Sequence, residues 1–395
     1  MVTADGAYIK KINRSLILSK INENGFISRA DVSKITGLNK ATISVQVAQL
    51  LEEELINETH KEHIVVGRRP IMLSINQEAG YVLGIDLDKH EIQYTVSNFL
   101  GHPVHSSISE LDTDNYDEIV EILANQIQSY MDSFTNSRYG LVSVMIGVHG
   151  TVNKDESILF IPKLQWRHKD LKKDLKKKLT IDIAIENSAN LSAYAERVFR
   201  YHKSDHLFAL ISSSGIGSGI MIDGKLEKGY HGYAGEIGHM IIFPDGKPCR
   251  CGNSGCWEGY ASETSFIEQL ALSMNKQNLN LQDVQRLLTE KDAITCKQME
   301  QFIKDISLGV NNIINLYNPE TLVINSEILR FYPSALEKIK GYLVSSVSQY
   351  REIVLSDLGK KACVMGACAL AIQHFLDVPQ LYLEAPETYG AKIGL

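Results

Sequence analysis

At 395 residues the chain exceeds one ordinary domain and is long enough for two or three well-buried cores. Its apolar fraction of 44% and charged fraction of 22% are those of a globular protein, and no apolar run approaches the roughly 20 residues of a membrane span. The net charge of −7 excludes a uniformly basic nucleic-acid binder, although residues 1–75 hold ten Lys+Arg against eight Asp+Glu (net +2) and the rest 30 against 39 (net −9). The N-terminal stretch has no signal-type apolar segment, so a cytoplasmic location away from membranes is expected.

Residues 14–24 carry Leu16, Ile17 and Ile21 at helical spacing and stop at Gly25, which predicts a first helix. Ser28 is a natural N-cap for a short helix to Thr36 with Ala30, Val32 and Ile35 facing inward, and Gly37 makes the turn. Asn39 or Lys40 opens a third helix with Ile43, Val47, Leu50 and Leu51 on its core face. Its Asn39, Lys40, Thr42, Ser44 and Gln46 are the polar groups expected at base edges in a major groove. Residues 55–59 and 64–66 read as a β-ribbon, followed by Gly67-Arg68-Arg69-Pro70 and a strand at 71–75. Arg68 and Arg69 are expected at phosphates or in the minor groove. Residues 1–76 are therefore predicted to form a winged helix-turn-helix on double-stranded DNA. A protein-interaction module has similar parts, but the order of helices, glycine turn, polar face and basic tip favours DNA.

From Gly80 strands alternate with helices: strands at 81–87, 91–99, 104–110 and 142–148, with an amphipathic helix at 117–134, make an α/β domain. A second half opens with a strand at 208–212 and a glycine-rich loop, 213–219, which alone is weak evidence for phosphate binding. Three of the six cysteines crowd into Cys249, Cys251 and Cys256, and His239 lies just upstream. One imidazole and three thiolates suit a tetrahedral Zn²⁺ and leave no position open for an activated water, so the zinc is expected to be structural. Three reduced buried cysteines are the alternative.

The segments Gly235-Glu236-Ile237-Gly238-His239 and Cys249-Arg250-Cys251-Gly252-Asn253-Ser254-Gly255-Cys256-Trp257-Glu258 resemble the signature of the ROK family (repressors, open reading frames and sugar kinases). Gly67-Arg68-Arg69-Pro70, Gly147-Val148-His149-Gly150, Trp166, Glu186-Asn187-Ser188-Ala189-Asn190 and Asn318-Pro319-Glu320 extend the likeness over nearly the whole chain. The resemblance implies an actin-like (ribonuclease H-like) two-lobed sugar-kinase fold. Its first lobe is expected over 80–195, completed by a C-terminal helix near 358–380, and its second, with the zinc loop, over 196–357; a helix and tail occupy 358–395. With the head attached, it points to the repressor branch. By position in the motifs, Asn187, Glu236, His239 and Glu258 match sugar-contacting residues, while His149 stands where the family usually has proline.

Kinase chemistry in this family needs a carboxylate base, a glycine phosphate loop and glycines near the adenosine. The motif places Ser188 at the base. Asp86-Leu87-Asp88-Lys89 puts a carboxylate where a glycine is usual, and Asn325-Ser326 replaces the glycine pair after the strand at 321–324. The expectation is a repressor and not an enzyme: a homodimer or dimer of dimers on operator DNA, released by a small sugar such as xylose. A hexose, an amino sugar and a sugar phosphate remain open as effectors. The alternatives are an active ROK sugar kinase with an accessory DNA-binding head, and a scaffold regulated by a protein partner.

Overall fold

The computed structural model describes residues 6–60 and 71–384. The head comprises α1 (Gly6–Asn24), β1 (Ile27–Ser28), α2 (Arg29–Thr36), α3 (Lys40–Glu52), β2 (Ile56–His60) and β3 (Ile71–Ile75). Its local signals act as their chemistry requires. Ser28 caps α2 by accepting from Asp31 N, Gly37 ends it at φ 72° in the left-handed region, and Asn39 caps α3 by accepting from Thr42 N. Ile17, Leu18, Ile21, Val32, Ile43, Val47 and Leu50 form the head's core. The inward set expected for α2 is corrected: Val32 is buried, but Ala30 and Ile35 are exposed, because a two-turn helix on a three-helix core buries a narrow stripe. β3 pairs antiparallel with both β1 and β2. The strand expected at 64–66 and the wing residues Arg68 and Arg69 lie outside the described residues.

Two compact units divide the chain. The first comprises the described residues up to Ser188, Val198–Arg200 and residues 364–384; the second comprises Ala189–Arg197 and Tyr201–Cys363. The first unit's sheet runs β4 (Tyr81–Leu87), β5 (Glu91–Asn98), β6 (Pro103–Glu110), then α4 (Tyr116–Ser133), β7 (Leu141–Val148) and β11 (Asp182–Asn187). Between the last two lie a small sheet, β8 (Thr151–Val152), β9 (Ile158–Ile161) and β10 (Trp166–Lys169), and α5 (Leu171–Lys176). The strand order is β6-β5-β4-β7-β11, with an antiparallel meander and then two parallel strands. Helix α6 (Ser188–Phe199) follows.

The second unit repeats that topology. β12 (Leu207–Ser212), β13 (Ile216–Ile222) and β14 (Lys225–Leu226) form the meander. α7 (Glu258–Ala261), α8 (Glu263–Ser273), α9 (Leu281–Thr289) and α10 (Ala293–Tyr317) lead to β15 (Thr321–Asn325). α11 (Glu327–Arg330) and α12 (Ala335–Tyr342) then lead to β16 (Glu352–Leu355), giving the order β14-β13-β12-β15-β16 with parallel β12, β15 and β16. One topology present twice is what an actin-like two-lobed fold entails.

The last helix, α13 (Ala362–Leu376), packs from Val364 onward against the first unit's sheet so closely that a Cβ on Gly84 would lie 2.5 Å from Val364 O. Beyond it the chain straps the head. Asn22 Nδ2 donates to Tyr382 O at 3.0 Å, and Tyr382 N donates to Asn22 Oδ1 at 2.8 Å. Lys11 pairs with Asp377 at 3.2 Å, and buried Leu383 donates its N–H to Val198 O at 3.2 Å.

Candidate functional site

On α3, Lys40 and Ser44 are exposed and Thr42 is partly exposed, as a base-reading face requires. Asn39 is exposed too, with its Oδ1 engaged by Thr42 N at 2.8 Å. Gln46 is a correction: it is 5% exposed. It sits three residues after Ile43 and four before Leu50, so helical geometry turns it into the core although its chemistry suits a base edge. Val45, 56% exposed, stands on the face where Gln46 was expected.

In the second unit Ile237–His239 forms a single 3-10 turn, and a Cβ on Gly238 would come within 2.4 Å of Ile216 O, so glycine lets this turn lie against β13. The cysteine loop is pinned at its end by Trp257. This side chain is fully buried, donates Nε1–H to Asp305 O at 2.7 Å and occupies the space left by Gly309 on α10. Short antiparallel bridges, Ile241 with Cys256 and Pro248 with Ser254, close the loop.

The result brings His239, Cys249, Cys251 and Cys256 together, with one ligand atom from each inside 4.8 Å of the others, a group able to hold a metal ion. His239 Nδ1 lies 3.6 Å from Cys249 Sγ, and Cys251 and Cys256 are also 3.6 Å apart. Burial pushes the Cys249 thiol up to about 12, and burial likewise raises Cys256, whereas the Asn253 backbone hydrogen bond lowers Cys251. A metal must displace these protons, so its affinity falls in acid. The other face of the imidazole looks elsewhere: Nε2 is 4.0 Å from Glu236 Oε2. Glu258 borders both, 3.5 Å from His239 Nδ1 and 3.3 Å from Cys249 Sγ, and it packs over Gly215, where a Cβ would meet its Oε2 at 2.9 Å. Three of the four expected sugar contacts, Glu236, His239 and Glu258, are thus neighbours. The fourth, Asn187, is in the first unit, where its Nδ2 donates to Gly150 O at 2.8 Å.

Two of the positions of expected loss, Asp88 and Asn325-Ser326, are occupied by bonds within the protein. Lys163 Nζ donates to both oxygens of Asp88, at 2.7 and 3.0 Å, and against the upward pull of burial the charges of His149 and then Lys163 hold that carboxyl below the usual range. Asn325 Nδ2 donates to Gly359 O at 2.9 Å, and Ser326 Oγ donates to buried Glu263 at 2.8 Å. The glycine-rich loop is reinterpreted: only residues 213–215 turn, and Gly217 and Gly219 are strand residues of β13. Their missing side chains admit α6, since Cβ atoms there would lie 3.1 Å from Ala189 and 2.4 Å from Ala193. Sequence reasoning missed Lys163 and Glu263, whose partners are 75 and 63 residues away and leave no local signal.

Known proteins share this architecture. The ROK family model matches residues 82–374. The Xylose repressor of Bacillus subtilis (strain 168) is 35% identical over 383 residues, covering 96% of this chain and 99% of that protein. A solved ROK family transcriptional regulator, a homologue of the E. coli MLC protein, superposes with a TM-score of 0.81 at 26% identity over 93% of this chain and 97% of that one. A ROK family glucokinase from Streptomyces griseus, solved with glucose and AMPPNP, shares the fold at a TM-score of 0.65 and 24% identity, over 74% of this chain and all of that one. The chain belongs to the ROK family.

Proposed function

We propose that the protein is a repressor of carbohydrate-utilisation genes that holds operator DNA through its head and lets go when a sugar, xylose foremost, binds. The observation that carries this reading is the 35% identity to a xylose repressor along 96% of the chain. Lys40, Thr42 and Ser44 read bases in the major groove, with Asn39 setting the start of the reading helix, and Arg68 and Arg69 bind phosphates or the minor groove. A homodimer presents two such heads to two half-sites, and dimers pair further where operators are long. The protein works in the cytoplasm.

The ion at His239, Cys249, Cys251 and Cys256 is a structural zinc. A tetrahedral zinc with arms of about 2.0 Å to nitrogen and about 2.3 Å to sulfur has edges of roughly 3.5 to 3.8 Å; two of the separations, His239 to Cys249 and Cys251 to Cys256, are 3.6 Å, and all four ligand atoms lie within 4.8 Å of one another. Bound there, zinc neutralises the thiolates and fixes the imidazole, so that Nε2 stays beside Glu236. Glu236, His239 and Glu258 supply the paired donors and acceptors that sugar hydroxyls need, and Asn187, within the first unit, offers a group of the same chemistry.

The kinase reading loses its support at Ser188, a residue with no carboxylate to take a proton, and at Asn325 and Ser326, whose side chains bond to the protein itself. Fluorescence polarisation with operator DNA tests the choice. Xylose is expected to weaken binding at least about tenfold, the scale of an allosteric coupling of 1.4 kcal/mol. Operator binding indifferent to xylose, hexoses, amino sugars and their phosphates, or sugar-dependent ATP consumption, overturns it.

A further inference from the structure

Parallel strands β4, β7 and β11 of the first unit end side by side, and in open α/β sheets ligands bind beyond the carboxyl ends of such strands. Polar residues stand there: Asp86 and Asp88 at the end of β4, His149 after β7, and Asn187 and Ser188 at the end of β11. A Cβ on Gly150 would come within 2.4 Å of Phe160 O, so the turn is locked against β9, and the Gly150 carbonyl holds Asn187 Nδ2 at 2.8 Å. One rigid turn therefore positions Asn187 and His149 together.

Asp86, nearly buried, holds His149 Nε2 at 2.9 Å. Nδ1 has no hydrogen-bond partner among the described residues, and the ring is 27% exposed. Burial disfavours charge on this imidazole, but Asp86 and Asp88 outweigh it and its pKa is raised, while Lys163 beside Asp88 opposes them. A charged ring whose Nε2–H is given to Asp86 has one remaining donor, Nδ1–H. The group is also closed electrostatically. His149 and Lys163 are matched by Asp86 and Asp88, so no surplus positive charge is available to a phosphate dianion, whereas a neutral hydroxyl oxygen needs only the donor.

We propose that His149, held by Asp86 and seated beside Asn187, is a specificity-determining residue that donates through Nδ1 to a hydroxyl of a neutral sugar, and that the Asp86–His149 and Asp88–Lys163 pairs reject phosphorylated sugars. This rests on the sugar-responsive reading above and names its effector class. Calorimetric titration of the full-length protein with xylose, glucose, N-acetylglucosamine, glucose 6-phosphate and N-acetylglucosamine 6-phosphate tests it. The wild type is expected to bind a neutral sugar at least about tenfold more tightly than any phosphate ester. His149→Ala weakens that sugar about tenfold or more, the scale of a hydrogen bond from a charged donor.

His149→Gln, which keeps an N–H donor without a titrating charge, regains part of the affinity and loses the fall in affinity that the wild type shows as pH rises through the imidazole's pKa. Thermal melting establishes that each variant is folded, and the Gln variant carries the test where the Ala variant is not. A phosphate ester bound as tightly as its sugar, or His149 variants within twofold of wild type, overturns the proposal while the repressor reading stands. A wild type that binds none of the five overturns both.

Discussion

In the second unit, Asn325 and Ser326 spend their hydrogen bonds on Gly359 and Glu263, whereas His239, Cys249, Cys251 and Cys256 point their donor atoms at one another. Both groups are polar, and both stand where the sequence motifs of a sugar kinase place chemistry. They differ in what satisfies them. The first region is complete without a ligand, so its polar atoms stabilise the unit. In the second, four ligand atoms, three of them thiol sulfurs, lie within 4.8 Å, a density that protein hydrogen bonding alone explains poorly and a metal explains well. The first unit shows the same contrast on a smaller scale: Asp88 is tied to Lys163, while among the described residues His149 is tied on one nitrogen only.

The largest expected effect tests the second region. Elemental analysis of the purified protein should find one zinc per chain, and Cys251→Ser should lose it. Structural zinc sites bind with apparent free energies on the order of 10 kcal/mol. Chelation should therefore lower the melting temperature sharply and expose the loop between His239 and Trp257 to protease. A protein that melts identically with and without chelator breaks the contrast, because the cluster would then be as self-sufficient as Asn325 and Ser326.

Ser326→Gly tests the first region from the other side. It returns a glycine to the position and deprives buried Glu263, whose burial raises its pKa, of a donor, leaving the Ile328 N–H at 3.0 Å. A loss of about 2 kcal/mol in denaturant unfolding is expected, from the hydrogen bond removed from Glu263 together with the N-cap that Ser326 gives α11 by accepting from Leu329 N. No loss would mean that the serine is idle and the region open.

Legibility in the sequence divides along the same line. The cysteine cluster could be read because its spacing is local, as could the caps at Ser28, Gly37 and Asn39, where a side chain or a positive φ acts within a few residues. Long-range satisfaction could not be read. Lys163 with Asp88, Glu263 with Ser326 and Trp257 with Gly309 come from elements far apart in the chain, and the repeated strand order depends on pairing that no window reveals. Gln46 was misplaced for a different reason: its amide suits a base edge, but its angle around α3 puts it beside Val47 and Leu50. Gly217 and Gly219 looked like a phosphate loop because close approach of α6 and close approach of a phosphate both require the same missing side chain.

A smaller effect concerns the strap. Asn22 makes two hydrogen bonds to the backbone of Tyr382 from a side chain that is 7% exposed. Asn22→Ala should cost about 1 to 2 kcal/mol and speed hydrogen exchange in α1 and in residues 381–383 together. Faster exchange in one alone would show that the two do not support each other.

The smallest effect carries a sign as well as a size. Asp305 lies beneath the cysteine loop: its carbonyl accepts from Trp257, and its carboxylate accepts from Gln301 at 3.0 Å. Burial raises its pKa from 3.8 to about 6, against the opposing pull of Gln301 and Lys247. Below the lower value Asp305 is protonated in both the folded and the unfolded chain. Between the two values the unfolded chain releases its proton and the folded one keeps it, so stability falls as pH rises; above about 6 the full cost of a buried carboxylate is in place. At about 1.4 kcal/mol per pKa unit the cost would near 3 kcal/mol in a dry interior, and partial solvation brings it to about 1 kcal/mol. Asp305→Asn, which keeps an acceptor for Gln301, should therefore raise the melting temperature at pH 8 and change it little at pH 4. If the variant is instead destabilised at pH 8 and unchanged at pH 4, the attraction between the Asp305 carboxylate and Lys247 outweighs the cost of burial, and the floor of the cysteine loop is held by charge as well as by Trp257.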